Sequence, residues 1–255
     1  TWVIFFLMLI HIYNFRTSLW GVLFFFLFYP IAYSYSWVWS DGIVIPFMLG
    51  TLWLIMENTS SHYKMQLFLA GITAGVAFCV RYIQGILLPY GFLIILILGV
   101  IQYKNISLKT KGIKIILHLF IFFSGWLCFS TPVLVRNLMV TGRGLGLPRP
   151  TSSISIFTNV KYAFNSLTQE WLSPALIPTE IQPMLLLSFF LVCSLFFIIR
   201  KNLFSIKEVF CNRFVCIFLG WALLYFAGIT LYASFYQIDL LGHRLLLPFS
   251  IVIVV

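Results

Sequence analysis

Arginines that could bind a phosphate, and an acid that could act on a hydroxyl group, stand at the edges of apolar segments of this chain. Asp41 follows Ser40 in "YSYSWVWSDG", Arg81 stands in "CVRYIQG", and Arg136 stands in "LVRNLMVTG". A guanidinium group can meet two phosphate oxygens with parallel hydrogen bonds, and a carboxylate can orient or activate a hydroxyl group. This set of arginines with acidic partners therefore favours an anionic ligand.

The elements that must position these residues are hydrophobic segments. Hydrophobic residues make up 62% of the 255 residues and charged residues 9%, whereas soluble domains have roughly 45–50% and about 25%. The apolar runs predict an all-α, polytopic transmembrane helix bundle of about nine spans, with one long external loop that carries short helices. We expect a single transmembrane domain over 1–255, as an internal part of a longer protein. The predicted spans are 2–13 (truncated), 18–35, 43–56, 66–80, 85–102, 114–134, 183–199, 214–233 and 245–255 (truncated), and the predicted external loop is 135–182.

The positions of lysine and arginine predict the orientation of the bundle. If the connection 103–113 faces the cytoplasm, ten of the sixteen Lys and Arg residues fall in four short cytoplasmic loops, as the positive-inside rule expects. The net charge of +10 then reflects membrane insertion and contact with the lipid bilayer, and no nucleic-acid partner is needed to explain it. The ten residues are Arg16, Lys64, Lys104, Lys109, Lys111, Lys114, Arg200, Lys201, Lys207 and Arg213.

On the opposite, external side a further group of charged residues stands in "YQIDLLGHRLLLP", which contributes Asp239, His243 and Arg244. Charged groups near a bilayer usually face a protein interior, a water-filled cavity or a polar ligand. The alternative is that each arginine only extends its guanidinium toward lipid headgroups. That alternative predicts no preference for acidic partners, so the whole set favours a ligand site.

Four stretches, taken in order, resemble successive landmarks of the GT-C superfamily of membrane glycosyltransferases. They are "SYSWVWSDG", "FCVRYIQGILLPYG", "TPVLVRNLMVTGRGLGLPRPTSSISIFTNV" and "YQIDLLGHRLLLPFSIV". The resemblance is to the glycosyltransferase family 39-type branch, with its dolichyl-phosphate-mannose-protein mannosyltransferase-like and aminoarabinose-transferase-like members. Two positions depart from the pattern: the acid after Ser40 is Asp41, where Glu is more usual, and Val80 replaces the Thr before "RY".

The resemblance implies transfer of a sugar from a polyprenyl-phosphate donor to an acceptor on the non-cytoplasmic face of a bacterial or archaeal plasma membrane. The family's main catalytic acid is expected before Thr1, so this chain alone is expected to be inactive. The sugar, the acceptor and any divalent metal stay open, and no metal-ligand spacing is found in the sequence. The matching residues are the auxiliary acid Asp41 and the substrate-binding candidates Arg81, Tyr82, Arg136, Asn137, Asp239, His243 and Arg244.

Two other functions that use lipid-linked sugars stay open. An O-antigen-type polymerase also binds polyprenyl-linked sugars through external arginines. A lipid-linked-sugar flippase or transporter would place charged residues or broken helices at mid-membrane or in repeat-related halves. The sequence shows neither of these transporter features.

Within the long loop, the stretch Phe157–Leu172, "FTNVKYAFNSLTQEWL", predicts a short helix. Its apolar residues follow helical spacing, and Pro174 limits its extension. Before it, the glycines and prolines of "TGRGLGLPRP" predict a turn after the span 114–134.

Overall fold

The chain is described here by a computed structural model that covers residues 5–7, 9–10, 14–27, 40–57, 62–104, 106–145, 149–171 and 213–236. Within these residues the regular structure is helical, apart from one isolated antiparallel bridge between Thr151 and Tyr236. The predicted all-α class is therefore confirmed for this part of the chain. The helices are α1 (Phe15–Leu27), α2 (Ser40–Met56), α3 (Tyr63–Val80), a 3-10 segment (Tyr82–Ile86), α4 (Leu87–Gln102), α5 (Leu108–Thr141), α6 (Ile156–Trp171) and α7 (Arg213–Phe235).

Four helical segments in the described residues are long and apolar enough to cross a membrane. They correspond to the predicted spans 66–80, 85–102, 114–134 and 214–233, while a shorter apolar helix corresponds to 43–56. The spans predicted near 183–199 and 245–255 lie outside the described residues, so the number nine stays a prediction. The four segments are Tyr63–Val80, Tyr82–Gln102, Leu108–Thr141 and Cys216–Phe235.

Helix α5 is longer than the apolar run that predicts it. It has 34 residues and begins where Ser107 accepts a hydrogen bond from the backbone N–H of Thr110, at 3.4 Å. It ends at Gly142, whose φ of 70° is the left-handed conformation of a helix C-cap. These caps, rather than the edges of the apolar run, decide where the helix starts and stops.

The length of α5 corrects two expectations about the predicted loop 135–182. The helix continues to Thr141, so the irregular segment begins seven residues later than expected, at Gly142. Arg136 accordingly lies inside the helix and not at its end. The predicted start of the irregular segment was wrong because a polar pair such as Arg136-Asn137 ends an apolar run without ending the helical backbone.

The chain divides into two compact units, Thr1–Leu23 with Val38–Pro148 and Phe24–Trp37 with Arg149–Val255. In the second unit, α6 packs on α7, and the buried Asn159 donates a hydrogen bond to the Ser234 hydroxyl at 3.1 Å. Helix α6 confirms the short helix predicted within the loop. The single transmembrane domain over 1–255 stays a prediction.

In the first unit, α3 and α5 approach each other through glycines. A methyl group at Gly71 would overlap the carbonyl oxygen of Phe122, and one at Gly125 would overlap that of Phe68. Gly71 and Gly75 stand four residues apart on α3, the small-residue spacing with which helices pack closely in membranes. Because these backbones nearly touch, the two helices hold a fixed register.

That register places the ends of α3 and α5 together. Near the helix starts, the Tyr63 and His118 rings meet at a centroid distance of 5.1 Å. Beyond the end of α3, Tyr82 contacts Asn137, so the two helices run parallel. We call the end that carries 81–86 and 136–145 the arginine end, and the end that carries 62–64 and 103–114 the lysine end.

Candidate functional site

Arg81 occupies a break between two helices at the arginine end. Its backbone is extended (φ −148°, ψ 119°) between the end of α3 at Val80 and the 3-10 segment. Its N–H donates to the Ala77 carbonyl at 2.9 Å, and its own carbonyl accepts from the Gln84 N–H at 2.9 Å. These two bonds fix the change of backbone direction, so the half-buried Arg81 is held where α3 stops.

Tyr82 and Asn137 join the break to α5. The Asn137 side-chain amide donates to the Tyr82 hydroxyl at 3.0 Å and to the Gly144 carbonyl at 3.1 Å. Only 8% of Asn137 is exposed, whereas Tyr82 is 47% exposed. Both amide hydrogens are therefore used, and one buried side chain connects the 3-10 segment, α5 and the following turn.

The turn after α5 is fixed by side-chain and backbone hydrogen bonds. The Thr141 hydroxyl lies within hydrogen-bond distance of the carbonyl oxygens of Asn137 (2.8 Å) and Arg143 (3.0 Å). The Gly142 N–H donates to the Leu138 carbonyl at 2.9 Å. With Gly142 in the left-handed region, the chain reverses and returns the Gly144 carbonyl to Asn137. The predicted turn in "TGRGLGLPRP" is thus present for its described residues.

Arg136 is exposed on α5, immediately before Asn137. The Tyr82–Asn137 hydrogen bond brings the chain neighbours of Arg81 and Arg136 together, although 55 positions separate the two bonded residues. Four of the predicted site residues, Arg81, Tyr82, Arg136 and Asn137, are therefore at one end of the first unit.

Asp41 belongs to the same end by its backbone position. Helices α2 and α3 are joined by a short connection, and the Thr51 and Thr73 hydroxyl oxygens are 2.9 Å apart across their interface. Ten residues back along α2, about 15 Å, Asp41 comes roughly level with the break that follows α3. The other three predicted site residues, Asp239, His243 and Arg244, lie outside the described residues.

Gln84 was missed by the sequence reasoning. Its side chain is fully buried, yet neither its amide nitrogen nor its amide oxygen has a hydrogen-bond partner within the part of the chain that the structure describes. An unsatisfied buried polar group costs about 1–3 kcal/mol, so a water or a ligand hydroxyl would be favoured beside it. The signal was a glutamine three positions after Arg81 in an otherwise apolar stretch.

The described residues contain no group of three or more His, Cys, Asp or Glu side chains that could hold a metal ion. The chain matches no protein-family model, and it matches neither a curated protein nor a solved structure.

Proposed function

We propose that the protein is a polytopic membrane glycosyltransferase of the GT-C type, which transfers a sugar from a polyprenyl-phosphate donor to an acceptor hydroxyl. The observation that carries this proposal is the hydrogen bond between Tyr82 and Asn137. It ties together the segments that contain Arg81 and Arg136. Two arginines at the arginine end suit an anionic lipid-linked phosphate.

The depth of Arg136 along α5 supports a lipid-linked substrate. Residues 115–135 contain no Lys, Arg, Asp or Glu, and these 21 residues span about 31 Å, close to the roughly 30 Å hydrocarbon core of a bilayer. Arg136 is the first charged residue beyond that run. A helix that crosses the bilayer this way holds Arg136 at the level of lipid phosphates.

The chemistry assigns distinct tasks to the residues of this end. In an inverting displacement, the acceptor oxygen forms a bond to the anomeric carbon while the bond from that carbon to the phosphate oxygen breaks. The proton of the acceptor hydroxyl passes to the main catalytic carboxylate that the family resemblance implies. The departing polyprenyl phosphate gains negative charge, which Arg81 and Arg136 stabilise. Asp41 is the auxiliary acid of the proposal. Asp239, His243 and Arg244 are proposed as substrate-binding residues on the basis of their sequence motif alone.

Tyr82 adds a neutral donor to this phosphate site. Its hydroxyl oxygen accepts a hydrogen bond from Asn137, and the other contact of the hydroxyl, to the Asn137 side-chain oxygen, is 3.5 Å long. Hydroxyl hydrogen bonds are normally 2.5–3.0 Å between oxygens, so that contact holds the proton only weakly. The partly exposed Tyr82 can therefore turn its O–H toward a phosphate oxygen.

The test is sugar transfer by the complete protein in membranes with matched protein levels, using polyprenyl-phosphate hexose and pentose donors. Alanine at Arg81, Arg136 or Arg244 should each slow transfer about ten- to a hundredfold, since a hydrogen bond to a charged group contributes roughly 1.5–3 kcal/mol. Lys109→Ala, at the lysine end of the same helix α5, is the control and should transfer at the wild-type rate. Unchanged transfer in all three arginine variants would show that these side chains only reach for headgroups.

The products separate the proposal from its alternatives. A transferase adds a single sugar, and the arginine variants slow that addition. An O-antigen-type polymerase would instead give a ladder of repeated units. A flippase or transporter would move the lipid-linked sugar between leaflets without any new covalent product, which would contradict the proposed chemistry.

A further inference from the structure

At the lysine end, two tyrosine rings lie beside a buried histidine, and two lysines adjoin this cluster. His118 lies one helical turn after Lys114 on α5 and is only 6% exposed. Its ring meets the Tyr63 ring edge-on at a centroid distance of 5.1 Å and the Tyr103 ring at 6.1 Å. Lys64 directly follows Tyr63 in the chain, and the Lys114 ammonium lies over the Tyr103 ring. Three separate segments thus converge on one place.

Lys114 is held by more than its own helix. Its ammonium nitrogen stands 5.0 Å from the centroid of the Tyr103 ring, in the geometry of a cation–π contact. Tyr103 is partly buried, and this burial raises the pKa of its phenol, so the ring stays neutral at physiological pH. Because the contact restricts the side chain in advance, less conformational freedom is lost when Lys114 binds an anion.

The position along α5 sets the depth of this cluster in a bilayer. Lys114 immediately precedes the uncharged run 115–135, just as Arg136 immediately follows it. If that run fills the hydrocarbon core, Lys114 stands at the level of the lipid phosphates, at the membrane face opposite to Arg136. His118 then lies in the first helical turn within the hydrocarbon core, where its ring packs against Tyr63 and Tyr103.

The charge at this end is strongly one-sided. The described residues of 62–64 and 103–114 include five lysines and no Asp or Glu, and Glu57 follows the end of the neighbouring helix α2. Lys64 and Lys114 differ from the rest because each adjoins the ring cluster: Lys64 follows Tyr63, and Lys114 contacts the Tyr103 ring. The other three, which stand on the connection before α5 or on its first turn, are Lys104, Lys109 and Lys111.

We infer that Lys64 and Lys114, with Tyr103 beside them, form a binding site for the phosphate of an anionic phospholipid headgroup. The charge complementarity, the depth of Lys114 and its contact with Tyr103 favour a lipid over a soluble anion. This inference needs the membrane location in the proposed function but not the transfer reaction. The site lies at the opposite end of α5 from Arg136.

The test measures lipid binding and not transfer. The protein is reconstituted in phosphatidylcholine nanodiscs with and without phosphatidylglycerol, and the phosphatidylglycerol retained after detergent exchange is counted by native mass spectrometry. The site variant is Lys64→Gln with Lys114→Gln. The matched control is Lys104→Gln with Lys109→Gln, which removes the same charge from the same end.

A lysine near an anionic surface contributes about fivefold in affinity through its charge alone, so either double variant could bind up to roughly twenty-five times more weakly for that reason. The site variant also loses the direct contacts of Lys64 and Lys114 with the phosphate, and the control variant does not. We expect it to lose at least about five times more affinity than the control variant. Equal losses in both would mean diffuse surface charge, and unchanged binding in the site variant would remove the site; either result overturns the inference.

Two further experiments cover a site variant that fails to fold and binding of a soluble anion. If the site variant does not fold, the single change Tyr103→Leu replaces it, because this change keeps every charge but removes the cation–π contact. Tyr103→Leu should weaken phosphatidylglycerol retention several-fold. Full retention would count against the site. In phosphatidylcholine alone, sodium phosphate should not stabilise the protein against heat. Stabilisation by phosphate that the site variant abolishes would assign the site to a soluble anion and overturn the lipid assignment.

Discussion

The side-chain amide of Asn137 and the hydroxyl of Tyr82 meet at 3.0 Å across 55 positions of sequence. Asn137 is buried, so its partners must come from the protein, and Tyr82 and Gly144 supply them. This contact holds the break after α3 against the last turns of α5. The arrangement of the arginine end therefore depends on a neutral pair and not on the charged residues themselves.

The first prediction concerns that pair. Tyr82→Phe and Asn137→Ala should each destabilise the protein, the second more strongly, because Asn137→Ala also releases the Gly144 carbonyl. A double-mutant cycle should give a coupling energy of about 0.5–1.5 kcal/mol between the two side chains. Equilibrium unfolding in mixed micelles measures it, and strictly additive effects would show that the hydrogen bond contributes nothing.

The second prediction tests the close approach of α3 and α5. Gly71→Ala should cost about 1–3 kcal/mol or more, since the new methyl group would overlap the Phe122 carbonyl oxygen. Gly112→Ala is the matched control on α5, where a new methyl group meets nothing within 4 Å. It should be neutral or stabilise the helix by up to about 1 kcal/mol. Similar unfolding midpoints for both variants would mean that the helices are not packed at Gly71.

The third prediction concerns the end of α5. Gly142 has φ 70°, a conformation that costs an ordinary L-residue about 1–2 kcal/mol. Gly142→Ala should therefore lower stability by roughly that amount, and Gly142→Asn should lower it less, because asparagine tolerates this region better. Space is not the cause, since a methyl group there would meet no atom within 4 Å. Equal stability of the alanine variant and wild type would contradict the left-handed cap.

The fourth prediction tests the orientation in the membrane. In a background without native cysteines, an impermeant thiol reagent should label Ser153→Cys in intact cells and should leave Lys109→Cys unlabelled until the membrane is opened. Both positions are exposed on the protein surface. Lys109 is preferred to Ser107 because Ser107 caps α5 and its loss would disturb the helix start. Labelling of both residues in intact cells would reject the predicted sidedness.

The fifth prediction separates charge from geometry at Arg136. A lysine there keeps the positive charge but cannot present two parallel N–H groups to a phosphate. In the proposed reaction of the complete protein, the rate of sugar transfer by Arg136→Lys should therefore lie between those of wild type and Arg136→Ala. The comparison is made at matched protein levels in membranes. A lysine variant as slow as the alanine variant would mean that charge alone has no value at this position.

The helical segments could be predicted from the sequence because the length of an apolar run directly reflects burial or membrane insertion. The predicted span 66–80 differs from α3 only at its start, and the predicted 85–102 adds part of the 3-10 segment to α4. The short helix near 157–172 was also accessible, because helical spacing persists there. By contrast, the ends of α5 depend on the capping residues Ser107 and Gly142. The length of the apolar run does not identify these caps.

The candidate site could be predicted from the sequence only in part. The arginines were found because charge stands out in an apolar chain, but their relation depends on the Tyr82–Asn137 contact, which no local pattern encodes. Gln84 looks like any polar residue at a helix end until its complete burial is known. The Gly71 and Gly75 pair could have been noticed as a packing signal, yet its partner surface on α5 required the three-dimensional structure.

Helix α5 fixes the distance between the charged residues at its two membrane borders. Lys114 and Arg136 are 22 residues apart on one helix, about 33 Å along its axis, so the two charged borders cannot adjust independently. Lipids with longer acyl chains would thicken the bilayer until one border was drawn below the phosphate plane, and shorter chains would leave apolar turns in water. The proposed sugar transfer at the arginine end should therefore pass through a maximum as acyl chain length increases, although the acyl chains take no part in the proposed reaction.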